Sequence, residues 1–238
     1  MAIYVLVHGG GHGGWCYQPL ARILRARGHE VYTPTMTGLG ERQHLLSPQI
    51  GLDMHITDIV KVLEFEDLRN VILAGHSYGG TVIIGVADRA ANRIGHLVFL
   101  DAPIPKNGES LADAAGPPML ATRIQGRVVD GVELVLYPTP EVLGAYGVTQ
   151  PVQLAWMTPK LTPHPWKCFE QKLILRNELA MRKIPQTHIV CSTRLVSWNR
   201  AEIEAASDGR VWEIDTGHDL MITEPEAIAE MLLRVASL

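Results

Sequence analysis

The stretch Val71-Ile-Leu-Ala-Gly75-His-Ser77-Tyr-Gly79-Gly80-Thr-Val-Ile-Ile sets a G-x-S-x-G between an apolar strand and an apolar helix, and few chain paths satisfy it. A sharp strand-to-helix turn forces the Ser77 backbone into strained geometry. Glycines at 75 and 79 leave space where a Cβ would strike the neighbouring chain. Ser77 Oγ then stands at the helix N-terminus, where the Tyr78 N–H and the helix dipole favour a developing negative charge. The competing reading is a glycine-rich turn holding an inert serine.

The rest of the chain repeats the same alternation. Ile3–Val7, Glu30–Thr33, Val71–Ala74, His96–Leu100, His188–Cys191 and Val211–Ile214 are short, apolar and rich in β-branched residues, as buried parallel strands are. Between them, Leu20, Ile23, Leu24 and Arg27 are spaced at helical turns. Ile56, Ile59, Val60 and Leu63, and later Ile228, Met231, Leu232 and Val235, follow i, i+3, i+4, i+7. The pattern predicts an α/β fold with a mostly parallel sheet and helices on both faces. Residues 1–101 and 185–238 form this core.

From Ala102 to Ile184 ten prolines break every long pattern, among them Pro103, Pro117, Pro140 and Pro165. This is an insertion rather than another sheet layer. It carries Tyr137, Tyr146, Trp156, Met157, Trp166 and Phe169, which need cover from the core, so the simplest reading is a cap or lid over the strand ends.

A net charge of −4 gives no basic footprint for phosphate backbones or anionic lipid, so neither a nucleic acid nor a membrane surface is the expected partner. A small, neutral or apolar molecule is. Cys16, Cys168 and Cys191 are widely separated and lack CxxC or Cys/His ligand spacing, which argues against a disulfide framework and a structural zinc. No apolar run approaches the roughly 18 residues of a membrane span, and Met1-Ala2-Ile3 enters a strand without a signal-peptide pattern, so a cytoplasmic location is expected. A homodimer through the apolar lid is compatible with the sequence, which does not specify one.

A serine hydroxyl needs a base to take its proton. Among ten histidines His218 is the candidate, in Asp215-Thr-Gly-His218-Asp-Leu-Met between the last strand and the last helix, at the same sheet edge as Ser77. The first strand ends in Val7-His-Gly-Gly-Gly-His-Gly-Gly-Trp15 at that edge, and the Gly10 N–H joins the Tyr78 N–H as the pair of oxyanion donors, each worth about 2.7–4 kcal/mol in a transition state. The loop also spells Gly9-x-Gly11-x-x-Gly14, the dinucleotide fingerprint. That reading wants an acid ending the second strand, where Thr33-Pro34-Thr35 stands instead. His8 and His12 are four apart, but the glycines between them make a helical metal pair improbable.

These segments, with Phe99-Leu-Asp-Ala-Pro-Ile-Pro105, resemble the α/β-hydrolase superfamily, in particular its branch of plant methylesterases, hydroxynitrile lyases and bacterial esterases. The resemblance spans nearly the whole chain. It implies a Ser–His–acid triad, no cofactor and a mostly apolar pocket under a cap; no metal is expected, and the low aromatic content with Met and Leu lining points to a small to medium carboxylic ester, with an amide or lactone as alternatives. The branch usually carries its acid after the strand at His188–Cys191, but there this chain reads Cys191-Ser-Thr-Arg194-Leu-Val-Ser-Trp198. Asp101, ending the strand after the elbow unit, is the expected replacement, with a turn-capping role as its alternative; Asp215, Asp219 and Glu224 rank lower. Hydroxynitrile lyases of the branch carry a lysine after the histidine and a threonine in the oxyanion loop, where this chain has Asp219 and Gly9. A lyase and a non-catalytic ligand receptor on the same fold remain the alternatives to an esterase. His12, Trp15, Trp156, Phe169, Leu220 and Met221, with Tyr78, are the candidate pocket wall.

Overall fold

The computed structural model describes residues 1–192 and 200–238. Strands β1 (Ile3–Val7), β2 (Glu30–Tyr32), β3 (Val71–His76) and β4 (Ile94–Leu100) alternate with helices α1 (Gln18–Ala26), α2 (Leu52–Phe65) and α3 (Tyr78–Ala90). An excursion follows, with α4 (Leu111–Ala115), α5 (Pro117–Ile124), β5 (Arg127–Val129), β6 (Val132–Val135), α6 (Pro140–Tyr146), α7 (Pro151–Met157), β7 (His164–Pro165), α8 (Lys167–Glu170) and α9 (Glu178–Met181). The chain then returns through β8 (Gln186–Cys191), α10 (Arg200–Ala206), β9 (Val211–Ile214), α11 (Leu220–Thr223) and α12 (Pro225–Val235).

The main sheet is parallel with order β2-β1-β3-β4-β8-β9. Its strands are apolar on both faces because both are covered: in β1, Val5 and Val7 pack on the side of α2 and α3, Tyr4 and Leu6 on the side of α1 and α12. Helix α2 buries Leu52, Ile56, Ile59, Val60 and Leu63 along one stripe, each contributing about 1.5–3 kcal/mol of burial. β3 extends beyond the sequence expectation to His76 because its register with β4 continues to the pair His76↔Leu100.

Strand order reverses between β1 and β3, so the loops leaving their C-terminal ends diverge and open a crevice between them. The glycine-rich loop after β1 and the serine turn after β3 are those two loops. The excursion contributes buried residues to both cores, Trp166 and Phe169 to one and Tyr146 and Met157 to the other. It also forms a small antiparallel sheet, β5-β6-β7, which the proline-rich sequence concealed. No helix among the described residues is long and apolar enough to cross a membrane.

Candidate active site

Ser77 sits between β3 and α3 at φ 51 and ψ −121, a conformation that costs a side-chain-bearing residue about 1–3 kcal/mol. Backbone contacts hold it there. Ser77 N–H donates to Leu100 O at 3.1 Å, and Gly80 N–H donates to Ser77 O at 2.9 Å. The flanking glycines are required by close approach: a Cβ at Gly75 would lie 2.4 Å from Gly79 O, and one at Gly79 would lie 2.4 Å from Val7 O. Ser77 Oγ and the Tyr78 N–H have no hydrogen-bond partner among the described residues.

Asp101, immediately after β4, is also at positive φ (44) and fully buried. Its N–H donates to Ile189 O at 2.8 Å, its Oδ1 accepts from Cys191 N–H at 3.2 Å, and its Oδ2 accepts from His218 Nδ1 at 2.5 Å. A proton on Nδ1 leaves Nε2 of His218 with a free lone pair, the state a general base needs. The histidine loop is held from three sides: Asp219 N–H donates to Tyr146 O at 2.9 Å, His76 Nε2–H to His218 O at 2.8 Å, and Cys191 Sγ–H to Gly217 O at 3.0 Å. Asp215 and Glu224 are exposed, while Asp219 is fully buried against His12 at 3.0 Å. The position sequence comparison gives to the usual acid, Arg194, lies outside the described residues.

In the glycine-rich loop, His8 Nδ1–H donates to Gly9 O at 2.9 Å while its Nε2 accepts from Met36 N–H at 3.1 Å. Burial, with the surrounding histidines, pushes His8 down to about 3, so it is neutral and its tautomer is fixed. A trans peptide sets its N–H opposite its C=O, so His8 fixes the direction of the Gly10 N–H, which has no acceptor among the described residues. The next peptide is tied at both ends: Gly10 O accepts from His12 Nδ1 at 2.8 Å and from Tyr146 Oη at 3.4 Å, and Gly11 N–H donates to His164 Nδ1 at 3.2 Å.

The sequence pattern of the Alpha/beta hydrolase family matches residues 4–231. The chain belongs to this family. It is 36% identical to the carbendazim hydrolyzing esterase of a Nocardioides species over 98% of each chain, and 26% identical to methylesterase 9 of Arabidopsis thaliana over 99% of this chain and 98% of the relative. Among solved structures it is similar to an extracellular alpha/beta-hydrolase from a Paenibacillus species, at TM-score 0.84 and 25% identity over 98% of each chain.

The hydrolase distributes its expected pocket residues unevenly. His12 and Trp15 stack at 5.5 Å, Trp15 meets Trp156 edge-on at 5.3 Å, and Phe169 closes over Gly10. Leu220 and Met221 are fully buried in the core shared with α1 and α12. The Tyr78 side chain turns inward, its hydroxyl donating to His55 Nδ1 at 2.9 Å. Two clefts, of about 320 and 190 Å³, are lined by residues such as Asp58 and Phe65 and by Ile50 and Lys167, and neither includes Ser77 or His218.

Several neighbours of the site had no distinguishing mark in sequence: His76, His164, Tyr146 in its contact role, and Leu136. Leu136 holds φ 57, unusual for a bulky residue, and its Cδ1 would lie 2.9 Å from a Cβ at Gly10. His55, His164 and Cys168 bring potential metal-ligating atoms within 4.8 Å of one another. Protons decide against a metal there. The Gly11 N–H occupies His164 Nδ1, which puts the ring proton on Nε2, and the Tyr78 hydroxyl occupies His55 Nδ1.

Proposed function

We propose that this hydrolase cleaves a small to medium, largely apolar carboxylic ester through Ser77, His218 and Asp101. The observation that carries this reading is the 2.5 Å contact from His218 Nδ1 to a fully buried Asp101 at the sheet edge that also bears the strained Ser77 turn. The esterase class is that of the Nocardioides and Arabidopsis relatives.

In the proposed cycle Ser77 Oγ attacks the ester carbonyl carbon as its proton passes to His218 Nε2, and Asp101 steadies the imidazolium. The Gly10 and Tyr78 N–H groups receive the oxyanion. His218 then protonates the departing alkoxide, leaving an acyl-Ser77. Water repeats the sequence, releasing the acid and free Ser77. Residues 102–184 act as the lid, with Leu136, Trp156 and Phe169 as the wall.

The test is hydrolysis of p-nitrophenyl butyrate by the wild type and Ser77→Ala between pH 6 and 9. Turnover in the wild type that falls at least 10³-fold in the variant is expected, as for loss of a nucleophile; equal turnover in both would place the chemistry elsewhere.

A further inference from the structure

His12 is clamped between two acceptors. Its Nδ1 faces Gly10 O at 2.8 Å and its Nε2 faces Asp219 Oδ2 at 3.0 Å, with the ring and the carboxylate both essentially without solvent exposure. The Gly10 carbonyl has no proton to give, so Nδ1 donates, and with Asp219 held below the usual carboxylate range, and so ionised, Nε2 must donate as well. A ring donating from both nitrogens is an imidazolium.

We infer that His12 and Asp219 form a buried ion pair that positions the esterase machinery, tying the oxyanion loop to the loop that carries His218. His12 holds the carbonyl of the peptide that follows the Gly10 N–H. Asp219 adjoins His218 in the chain, and its own N–H is anchored on Tyr146 O. Tyr146 in turn reaches Gly10 O with its hydroxyl, so one helix end of the lid segment touches both sides of the clamp. The inference rests on the proposed esterase cycle, in which the Gly10 N–H receives the oxyanion while His218 moves the proton of the attacking Ser77.

The surroundings isolate the pair. Facing it are His8, Cys16 and Tyr17 from the first loop and the turn after it, His76 from β3, Tyr146 from α6, His164 from β7, and His218. Burial holds His8, His76 and His164 in their neutral forms, and likewise the Cys16 thiol and the Tyr17 and Tyr146 phenols. Burial alone would pull His12 down, but the charge and hydrogen bond of Asp219, with the hydrogen bond to Gly10 O, more than reverse this. Burial likewise favours a neutral Asp219, and the charge and hydrogen bond of His12, with His76 and His218 beside them, more than reverse that. The second carboxylate oxygen, Oδ1, has no hydrogen-bond partner among the described residues and lies 3.9 Å from His76 Nε2, so His12 is the principal partner of the charge. The pair is lost as pH rises through the raised His12 value and as it falls through the depressed Asp219 value.

The experiment reads protonation and catalysis separately. In protein labelled with ¹⁵N-histidine, His12, assigned by its loss in His12→Gln, is expected to show two protonated ring nitrogens at pH 7; a single one overturns the inference. In Asp219→Asn, kcat on p-nitrophenyl butyrate is expected to fall at least 10-fold with KM within threefold, because the oxyanion forms only after binding. The double variant Asp219→Asn/His12→Gln is expected to lose no more than about threefold beyond the worse single variant. Asp219→Asn with kcat within threefold of wild type, or fully additive losses, overturns it. Should Asp219→Asn not fold, or the wild type hydrolyse no ester, the ring spectrum decides the ion pair by itself, while the absence of hydrolysis counts against the esterase reading alone.

Discussion

Replacing Asp101 by Asn isolates the contribution of the carboxylate with almost no change in volume. In the wild type Oδ1 accepts from Cys191 N–H and Oδ2 accepts from His218 Nδ1. The amide has only one oxygen. If that oxygen keeps the Cys191 N–H, the NH₂ faces His218 Nδ1 and drives the ring proton to Nε2, where it blocks transfer from Ser77. Turning the amide round restores the tautomer but leaves the buried Cys191 N–H facing another donor, at about 1–3 kcal/mol. Even that minority has lost the negative charge that stabilises the imidazolium, a further loss of about 1–2 kcal/mol or more from the difference between charged and neutral hydrogen bonds. The sum, about 2–5 kcal/mol, corresponds to a fall of roughly 30-fold to 5 × 10³-fold in kcat at about 1.36 kcal/mol per tenfold. KM should stay within about threefold, because neither atom touches the bound ester. Steady-state hydrolysis of p-nitrophenyl butyrate, with circular dichroism to establish folding, is the assay. A folded Asp101→Asn with kcat/KM within threefold of wild type would refute the triad assignment.

Two further outcomes follow from the surroundings of the site. Leu136→Ala removes a side chain that closes over Gly10 and should raise kcat/KM for an octanoyl ester relative to a butyryl ester by about 15-fold, if the vacated space takes up about two of the four extra methylenes at about 0.8 kcal/mol each; an unchanged ratio of the two p-nitrophenyl esters would remove Leu136 from the acyl site. Acid should unfold the protein early. Burial pushes His8, His76 and His188 down to about 3, and His55 and His96 down to about 4, so between these values and about 6.5 the unfolded chain binds more protons than the folded one. Stability therefore falls as pH drops below about 6.5, by up to about 1.4 kcal/mol per histidine per unit. Urea unfolding at pH 7 and pH 5 should differ by several kcal/mol, and equal midpoints would show that these rings are protonated in the native state.

What could be read from sequence was whatever the backbone enforces locally. The turn at Ser77 is a steric problem solved within five residues, so its glycines expose it. The strands are legible because a parallel strand covered on both faces has few compositions open to it. Asp101 could be reached only by elimination and neighbour order: β4 lies beside β3, so its end adjoins the serine turn, whereas the histidine loop leaves β9 two strands away and reaches Asp101 by passing back over β8. The excursion was legible in extent alone: β6 and β7 pair across nearly thirty residues of intervening chain, and no local spacing encodes that register.

The same distinction explains why the contact between His12 and Asp219 could not be read from sequence. In sequence His12 is an aromatic ring in a glycine loop and therefore a candidate pocket wall, while Asp219 is a carboxylate too close to His218 to turn back on it. Both readings treat each residue with its chain neighbours. The two partners are 207 positions apart and meet because the loop after β1 and the histidine loop after β9 both lie at the C-terminal edge of the sheet, the second arching back over it. A buried charge is tolerated only when its partner is in place, and breaking such a pair usually costs more than the pair contributes when formed. The sequence thus carries two residues whose presence inside the fold is unfavourable singly. Their pairing makes assembly of the first loop and the last loop conditional on each other, at the edge where the proposed chemistry needs both.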